Sequence, residues 1–436
     1  MNIDVADGVA VLGAALRHAR STPERIREYR DQRLRRILRH ARMNVPLYQD
    51  IWNGLGASPD AIRNAGDLTS LPVVMRKHFR ARPAHEAFAR GTDPDRLIKV
   101  QTTGSTGEPF VVLRTRAEDF IFHAFRMRAM ISFGLRPTDR MARIGTHAHG
   151  QSPLAWKVAQ RFGSFRQAQI PLLDEPSIIA AALRKARPDV VTGNAGVLTR
   201  VAREIAARPD DAPRPRFVVT SSEVLAAGMR RRIAEGFDCR VYDTYCSEEF
   251  GLIAWECRET GLYHVCDDSA VVEVLKDGRP AREGERGAIV VTALHFFAMP
   301  FVRYLLGDEV VVGPAHCPCG APFSTLAEIS GRTVDYLSLP GGRELYAAAA
   351  AHVIQAVAPW VEQYELVQER LNLVVVRLIP DSPPPPEAFA RLRSGLTDLL
   401  GRDVDIRLEV VPEIAPGPGE KFRFLRSMVG QGDVSA

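Results

Sequence analysis

Phe217-Val218-Val219-Thr220-Ser221-Ser222-Glu223 is an apolar, β-branched run that stops in a polar cluster. It reads as a buried strand, and the pattern after it predicts a helix to about Glu235. The same unit recurs on both sides. Upstream, Val190-Val191-Thr192 leads into Gly193-Asn194 and a helical run to about Ala207. Downstream, Arg240-Val241-Tyr242-Asp243 leads into a polar loop at 244–249 and a second apolar run. Buried strands alternating with amphipathic helices predict an α/β fold with a mainly parallel sheet. In such sheets ligands lie beyond the carboxyl ends of the strands, where the clusters at 193–194, 221–223 and 244–249 fall.

Toward the N-terminus, residues 1 to about 85 read as a mostly helical lead-in. Leu34, Ile37, Leu38 and Ala41 recur at i, i+3, i+4 and i+7. From about 270 to 312, short strands such as Val271 to Leu275 and Ala288 to Thr292 predict a more antiparallel region. Past 335 the pattern changes again. Tyr364 to Gln368 and Leu371 to Leu378 predict a hairpin turning at Glu369-Arg370. The proline run 383–386 leads into a helix near Glu387 to Leu400, and Val404 to Val411 is a further strand. The expected architecture is a large domain of residues 1–334, with mainly parallel sheets flanked by helices, and a small α+β domain of residues 335–436.

The 436 residues are 25% charged and 46% hydrophobic, the balance of a soluble globular protein. The net charge of +5 is small and the basic residues are scattered, which argues against nucleic acid. No apolar run reaches the roughly 18–20 residues that span a bilayer. Asp4 and Asp7 stand where a signal peptide needs basic residues, so a cytoplasmic chain without a membrane partner is expected. A homodimer is left open.

Two segments carry chemistry. The first is Gln101-Thr102-Thr103-Gly104-Ser105-Thr106-Gly107-Glu108-Pro109. Its glycines permit tight turns, and successive N–H groups with flanking hydroxyls suit an anion nest. It is not a Walker loop, because Glu108 stands where that pattern needs lysine. The second is a cysteine set. Cys257-x6-His264 and Cys317-x-Cys319-Gly320 have the ligand types and tight turn of a closed, structural Zn²⁺ site, with Cys266 as a substitute for His264. A disulfide framework is not expected in a cytosolic chain of this size.

The first loop resembles the [ST]-[ST]-G-[ST]-T-G-x-P signature of adenylate-forming enzymes. Further motifs follow in the family's order. Ser221-Ser222-Glu223 resembles its adenine loop, Tyr245-Cys246-Ser247-Glu248-Glu249 its Y-G-x-[ST]-E motif, and Arg303-Tyr304-Leu305-Leu306-Gly307-Asp308 its R-Y-x-x-G-D motif. Gly331-Arg332-Thr333-Val334-Asp335 resembles the hinge, and Glu420-Lys421-Phe422-Arg423 the terminal G-K-x-R motif. The similarity spans about residues 30 to 425. The short C-terminal domain and Met299-Pro300-Phe301-Val302-Arg303-Tyr304 are similar to the phenylacetate–coenzyme A ligase group.

The resemblance implies an ATP-dependent ligase that adenylates a small, aromatic carboxylic acid and passes it to coenzyme A. It implies ATP held by the loop from Thr102 to Gly107. Tyr245 would stack on adenine, with Ser222, Glu223, Asp243 and Thr244 near the ring. Asp308 would take the ribose hydroxyls, as an acceptor-only carboxylate can, and Arg332 the ribose or phosphate. Glu249 would hold Mg²⁺, a hard cation that prefers oxygen. Lys421 would be the catalytic lysine and Asp335 the hinge of a mobile small domain. The acid pocket is expected near Thr146, His147, Gly193 and Asn194, with His149 a further candidate to orient the acid. An alternative keeps the ATP residues but uses another acceptor or another activated group, such as nitrite for diazotisation of an aryl amine. Three positions depart from the family pattern: Cys246 for glycine, Glu248 for a Ser/Thr that contacts phosphate, and Glu108 for lysine.

Overall fold

The computed structural model describes residues 5–102, 110–145, 166–172, 174–332, 336–346, 350, 353–354, 356–381, 383–414 and 425–429. They fall into two units. One joins the chain up to Pro137 with Thr244–Ile329; the other joins Thr138–Gly145, Arg166–Asp243 and the chain from Ser330 onward.

In the first unit, the helix Pro23–Asn44 begins at Thr22, whose hydroxyl accepts from the Arg25 amide at 3.4 Å. Its face of Ile26, Leu34, Ile37, Leu38 and Ala41 is buried, as the periodicity predicts. Val45 is extended ahead of Pro46, which ends this helix and opens the next, Pro46–Gly54. Their apolar sides share a core with Val271, Ile289, Val291, Phe301 and Tyr304. The strands of this unit pair antiparallel: Ala270–Lys276 with Arg286–Ala293, that strand with Tyr304–Val312, and Gly251–Glu256 with Tyr263–Val265. Ile98–Thr102 and Phe110–Arg114, on either side of the glycine-rich segment in the sequence, form a separate antiparallel pair with Thr102 opposite Phe110.

A buried ionic centre ties the unit together. Arg128, on the helix Arg116–Ser132, donates to Asp268 Oδ2 at 2.6 Å and lies over the rings of Trp255 and Phe323, 4.6 and 4.7 Å from their centroids. His18 Nδ1 meets the same carboxylate oxygen at 2.9 Å. A buried charge survives only when paired, and removing one partner of such a pair costs about 3–5 kcal/mol. His295 Nε2 bonds the Asp268 carbonyl at 2.8 Å.

In the second unit the parallel strands are Arg140–Gly145, Arg166–Pro171, Val190–Asn194 and Phe217–Ser221. Ile144, Val191, Val218 and the inner faces of the helices Pro176–Ala186, Ala195–Ala206 and Ala227–Phe237 make its core. The α/β class stands, with its parallel pairings here and antiparallel ones in the first unit. The C-terminal part is a mixed four-stranded sheet in the order Asp405–Val410, Leu373–Pro380, Val361–Arg370, Leu425–Ser427. The helix Ala388–Leu400 covers it through Ala388, Leu392, Leu396 and Leu400. The hairpin turns at Leu371-Asn372, not at Glu369-Arg370, because the exposed charged pair prolongs its strand past the core with Arg370 opposite Leu373. This sheet sits on the helix Ala227–Phe237. Glu362, almost fully buried, takes ion pairs from Arg203 at 2.9 Å and Arg232 at 3.2 Å. A Cβ on Gly228 would come within 2.6 Å of the Glu362 Cα, so only glycine permits the approach.

The ionic centre sets an acid limit on stability. Burial, and then the nearby Arg33 cation, push the His295 pKa down to about 3, against about 6.5 in an unfolded chain. Between those values the unfolded chain binds a proton that the folded chain refuses, so stability falls as pH drops from about 6.5 toward 3. His295→Gln should flatten that slope, measured as the urea midpoint between about pH 4 and 7.

Candidate functional site

The strand Arg240–Ser247 continues past the Asp243 end that the sequence suggests and turns tightly into Gly251–Glu256. Tyr245 faces Ala254, Cys246 faces Leu252, and the extra residue between them makes a bulge. The polar segment 244–249 is therefore the end of a strand and a turn rather than an open loop. The Ser247 hydroxyl accepts from the Phe250 amide at 3.2 Å, and Gly251 turns the chain with φ +73°.

On this framework, motifs distant in sequence meet. The Tyr245 hydroxyl donates to Asp308 Oδ2 at 2.5 Å. Tyr245 is buried and Asp308 half-buried. The buried Glu249 carboxylate meets the Arg76 guanidinium at 3.5 Å, and Arg76 lies over the Phe110 ring, 5.4 Å from its centroid. Phe110 is the first residue after the glycine-rich segment.

In the second unit, Glu223 reaches the start of the helix Ala195–Ala206. Its carboxylate accepts from the Gly196 amide at 2.7 Å and from the Asn194 side-chain amide at 3.4 Å. A carboxylate suits a helix N-terminus, where amides lack helical partners. Gly193 is buried at the end of its strand. Thr220 donates to Asp243 Oδ1 at 2.6 Å across neighbouring strands. Ser222 is exposed and held at φ +71°.

The cysteine set comes together. Cys257 Sγ, His264 Nε2, Cys317 Sγ and Cys319 Sγ belong to one group whose ligand atoms lie within 4.8 Å of one another. The strand pairing places His264 opposite Trp255, just before Cys257. The turn at Gly261, φ +75°, lets the Cys257 amide bond Leu262 O at 2.6 Å. The second knuckle closes through the Gly320 amide onto Cys317 O at 3.0 Å, with Gly320 at φ +79°. Burial, and then the Arg128 cation, push the His264 pKa down to about 4, so its imidazole is neutral and its nitrogen open to a metal. Burial raises the Cys257 thiol, but bonds from the Thr260 hydroxyl and the Glu259 and Thr260 amides outweigh it and lower its pKa. Burial pushes Cys319 up to about 12. A metal would remove that proton, since thiolate is the ligand form. Three sulfurs and one imidazole around one point fit tetrahedral Zn²⁺. Cys266, the expected substitute, lies outside this group and accepts from Arg128 Nη2 at 2.6 Å.

Several expected residues lie outside the described set: Thr103, Gly104, Ser105, Thr106, Gly107, Glu108, Thr146, His147, His149, Asp335 and Lys421. The side chains of Thr102 and Arg332 do as well.

No family model matches the chain. It is 25% identical to a phenylacetate–coenzyme A ligase of Thermus thermophilus over 366 residues, covering 80% of this chain and 79% of that one. It is 26% identical to the Escherichia coli phenylacetate–coenzyme A ligase, covering 71% and 72%. Its fold is similar to a crystal structure of 2-hydroxyisobutyryl-CoA ligase in the postadenylation state, with TM-score 0.76 and 18% identity over 94% of this chain and 91% of that one. These likenesses support an adenylate-forming fold of the phenylacetate–coenzyme A ligase-like kind.

Two residues near the candidate site escape sequence reasoning. Arg76, beside Glu249, sits in a short run of basic residues that reads as surface. Arg114 closes the strand Phe110–Arg114 and is buried, bonding the Glu248 carbonyl at 2.8 Å. A lone arginine at a strand end gives no signal. Among the described residues no helix is long and apolar enough to cross a membrane.

Ser222 pays a steric penalty for its left-handed backbone that glycine would not. Ser222→Gly is expected to stabilise the chain by roughly 1 kcal/mol, read as a higher thermal midpoint.

Proposed function

We propose that this AMP-forming ligase activates a small aromatic carboxylic acid with ATP and transfers it to coenzyme A. The observation that carries the reading is the Tyr245–Asp308 bond, which joins two motifs 63 residues apart. A tyrosine ring fixed to an acceptor-only carboxylate supplies a face for adenine and a seat for the ribose diol. Ser222, Glu223, Asp243 and Thr244 would lie toward the ring. The loop from Thr102 to Gly107 would cradle phosphate, with Arg332 on the ribose or phosphate.

In the first half-reaction a carboxylate oxygen of the acid attacks the α-phosphorus and pyrophosphate leaves, giving an acyl-adenylate. Two anions must approach, so catalysis depends on cations set where charge develops. Glu249 would hold Mg²⁺, which would offset charge on the departing phosphates. Lys421 would bring its ammonium to the reacting oxygens. In the second half-reaction the coenzyme A thiolate attacks the acyl carbon, forming the thioester and releasing AMP. Asp335 would be the hinge between the two steps, joining a domain of residues 1–334 to one of 335–436. Thr146, His147, Gly193 and Asn194 would line the acid pocket. The chain would work in the cytoplasm.

ATP–pyrophosphate exchange over a panel of acids, with and without coenzyme A, tests the reading. Aryl-acid-dependent exchange with coenzyme A-dependent AMP release is expected. AMP release that needs nitrite or an amine instead would transfer the reading to the alternative acceptor. Lys421→Ala should lower exchange at least about a hundredfold while MgATP affinity stays within about threefold; undiminished exchange removes the lysine from its role.

We also propose that Cys257, His264, Cys317 and Cys319 hold a structural Zn²⁺, supported by their convergence. The purified chain should carry about one zinc per molecule. Cys317→Ser should lose it, with a lower thermal midpoint. A metal-free chain of normal stability would end this assignment.

A further inference from the structure

Glu248 stands where the family pattern has a hydroxyl that contacts phosphate. A carboxylate there would repel a triphosphate unless a cation offsets it. The structure supplies an answer within the first unit. Arg114 is 2% exposed, and its Nη1 donates to the Glu248 backbone carbonyl at 2.8 Å. Its Nη2 lies 3.7 Å from the Glu248 carboxylate and 3.4 Å from that of Asp119. Its guanidinium carbon lies 4.0 Å from the Phe122 ring centroid. Phe122 also packs against the far end of the same turn, where a Cβ on Gly251 would meet its ring at 2.9 Å. One arginine therefore grips both the backbone and the charge of the turn that carries Glu248 and Glu249.

We propose that Arg114 is a positioning residue for nucleotide binding: it neutralises Glu248 and holds its carboxylate away from the phosphates, so that a charge pair does the work of the family's neutral hydroxyl. The proposal rests on the reading that this chain binds ATP. Its physical basis is the forked guanidinium, which can bond a carbonyl and face two carboxylates at once. The ring beneath it favours the cation in a dry setting. An arginine with a purely structural role would not distinguish ATP from AMP. One that screens Glu248 would, because ATP brings two more phosphates to the site.

Calorimetric titration of the full chain with MgATP and with AMP tests this. Arg114→Gln keeps a donor for the carbonyl but removes the cation. It should raise the Kd for MgATP at least about tenfold and that for AMP less than about threefold. Adding Glu248→Gln removes the uncompensated charge and should return the MgATP Kd to within about threefold of the parent. Parental ATP affinity in Arg114→Gln, equal losses for ATP and AMP, or a double variant as weak as the single one would overturn the proposal. Should Arg114→Gln fold poorly, Arg114→Lys carries the test: the retained cation should keep the MgATP Kd within about threefold of the parent, and an ATP-selective loss of about tenfold or more overturns the proposal. A parent chain that binds no ATP removes the preceding reading together with this one. A parent that binds ATP while the variants disobey removes this one alone.

Discussion

Glu248 and Glu249 follow one another in a turn of three residues between two paired strands, and neither carboxylate is left without a cation. Glu249 is met by Arg76 and Glu248 by Arg114. Like charges on adjacent residues, partly withdrawn from water, repel strongly unless each is matched. The two arginines come from segments far away in sequence, the short helix Arg76–Arg80 and the strand Phe110–Arg114. The turn thus fixes where the hairpin flanking the glycine-rich segment must lie. The second strand of that hairpin begins with Phe110, which packs under Arg76. Local geometry at the candidate site and long-range packing of the unit are one problem with one solution.

The same unit holds a second concentration of charge that has no part in the proposed chemistry. Arg128 and Asp268 are buried with His18, His295 and Cys266 around them. Trp255 links this centre to the cysteine knuckles, since its ring meets both Arg128 and the edge of His264. A metal at the knuckles and the ion pair behind them would brace the same hairpin from two sides. This explains why Cys266 does not join the ligand set: its sulfur already serves the arginine.

What the sequence discloses, and what it hides, follows from the range of each interaction. The face of Leu34, Ile37, Leu38 and Ala41 was legible because helical burial writes itself at fixed spacing. The strands at 190, 217 and 240 were legible as short apolar runs. Cys257, His264, Cys317 and Cys319 stood out because few side chains bind zinc. Tyr245 and Asp308 were legible only through ordered motifs, since nothing local in either residue announces a partner 63 positions away. Arg76, Arg114 and Arg128 were illegible for a different reason. This chain is rich in arginine, most of it solvated, and a buried guanidinium looks the same in one dimension as an exposed one. The turn falls at Leu371-Asn372 rather than at Glu369-Arg370 because an exposed charged pair resembles a turn signal, although a strand may run on into water.

The contact between Gly228 and Glu362 has a consequence for how the C-terminal sheet is held. An oily joint between two surfaces resists parting in proportion to area, whatever the buffer. Among the described residues, this joint includes a buried carboxylate between two guanidinium groups, over the bare backbone of Gly228, and a further ion pair from Arg231 to Asp381. Water can resolvate these ions once the surfaces separate, and dissolved salt weakens the attraction while they approach. Ion pairs of fixed geometry thus set where the small sheet seats on its helix, because each carboxylate meets its guanidinium in only one alignment.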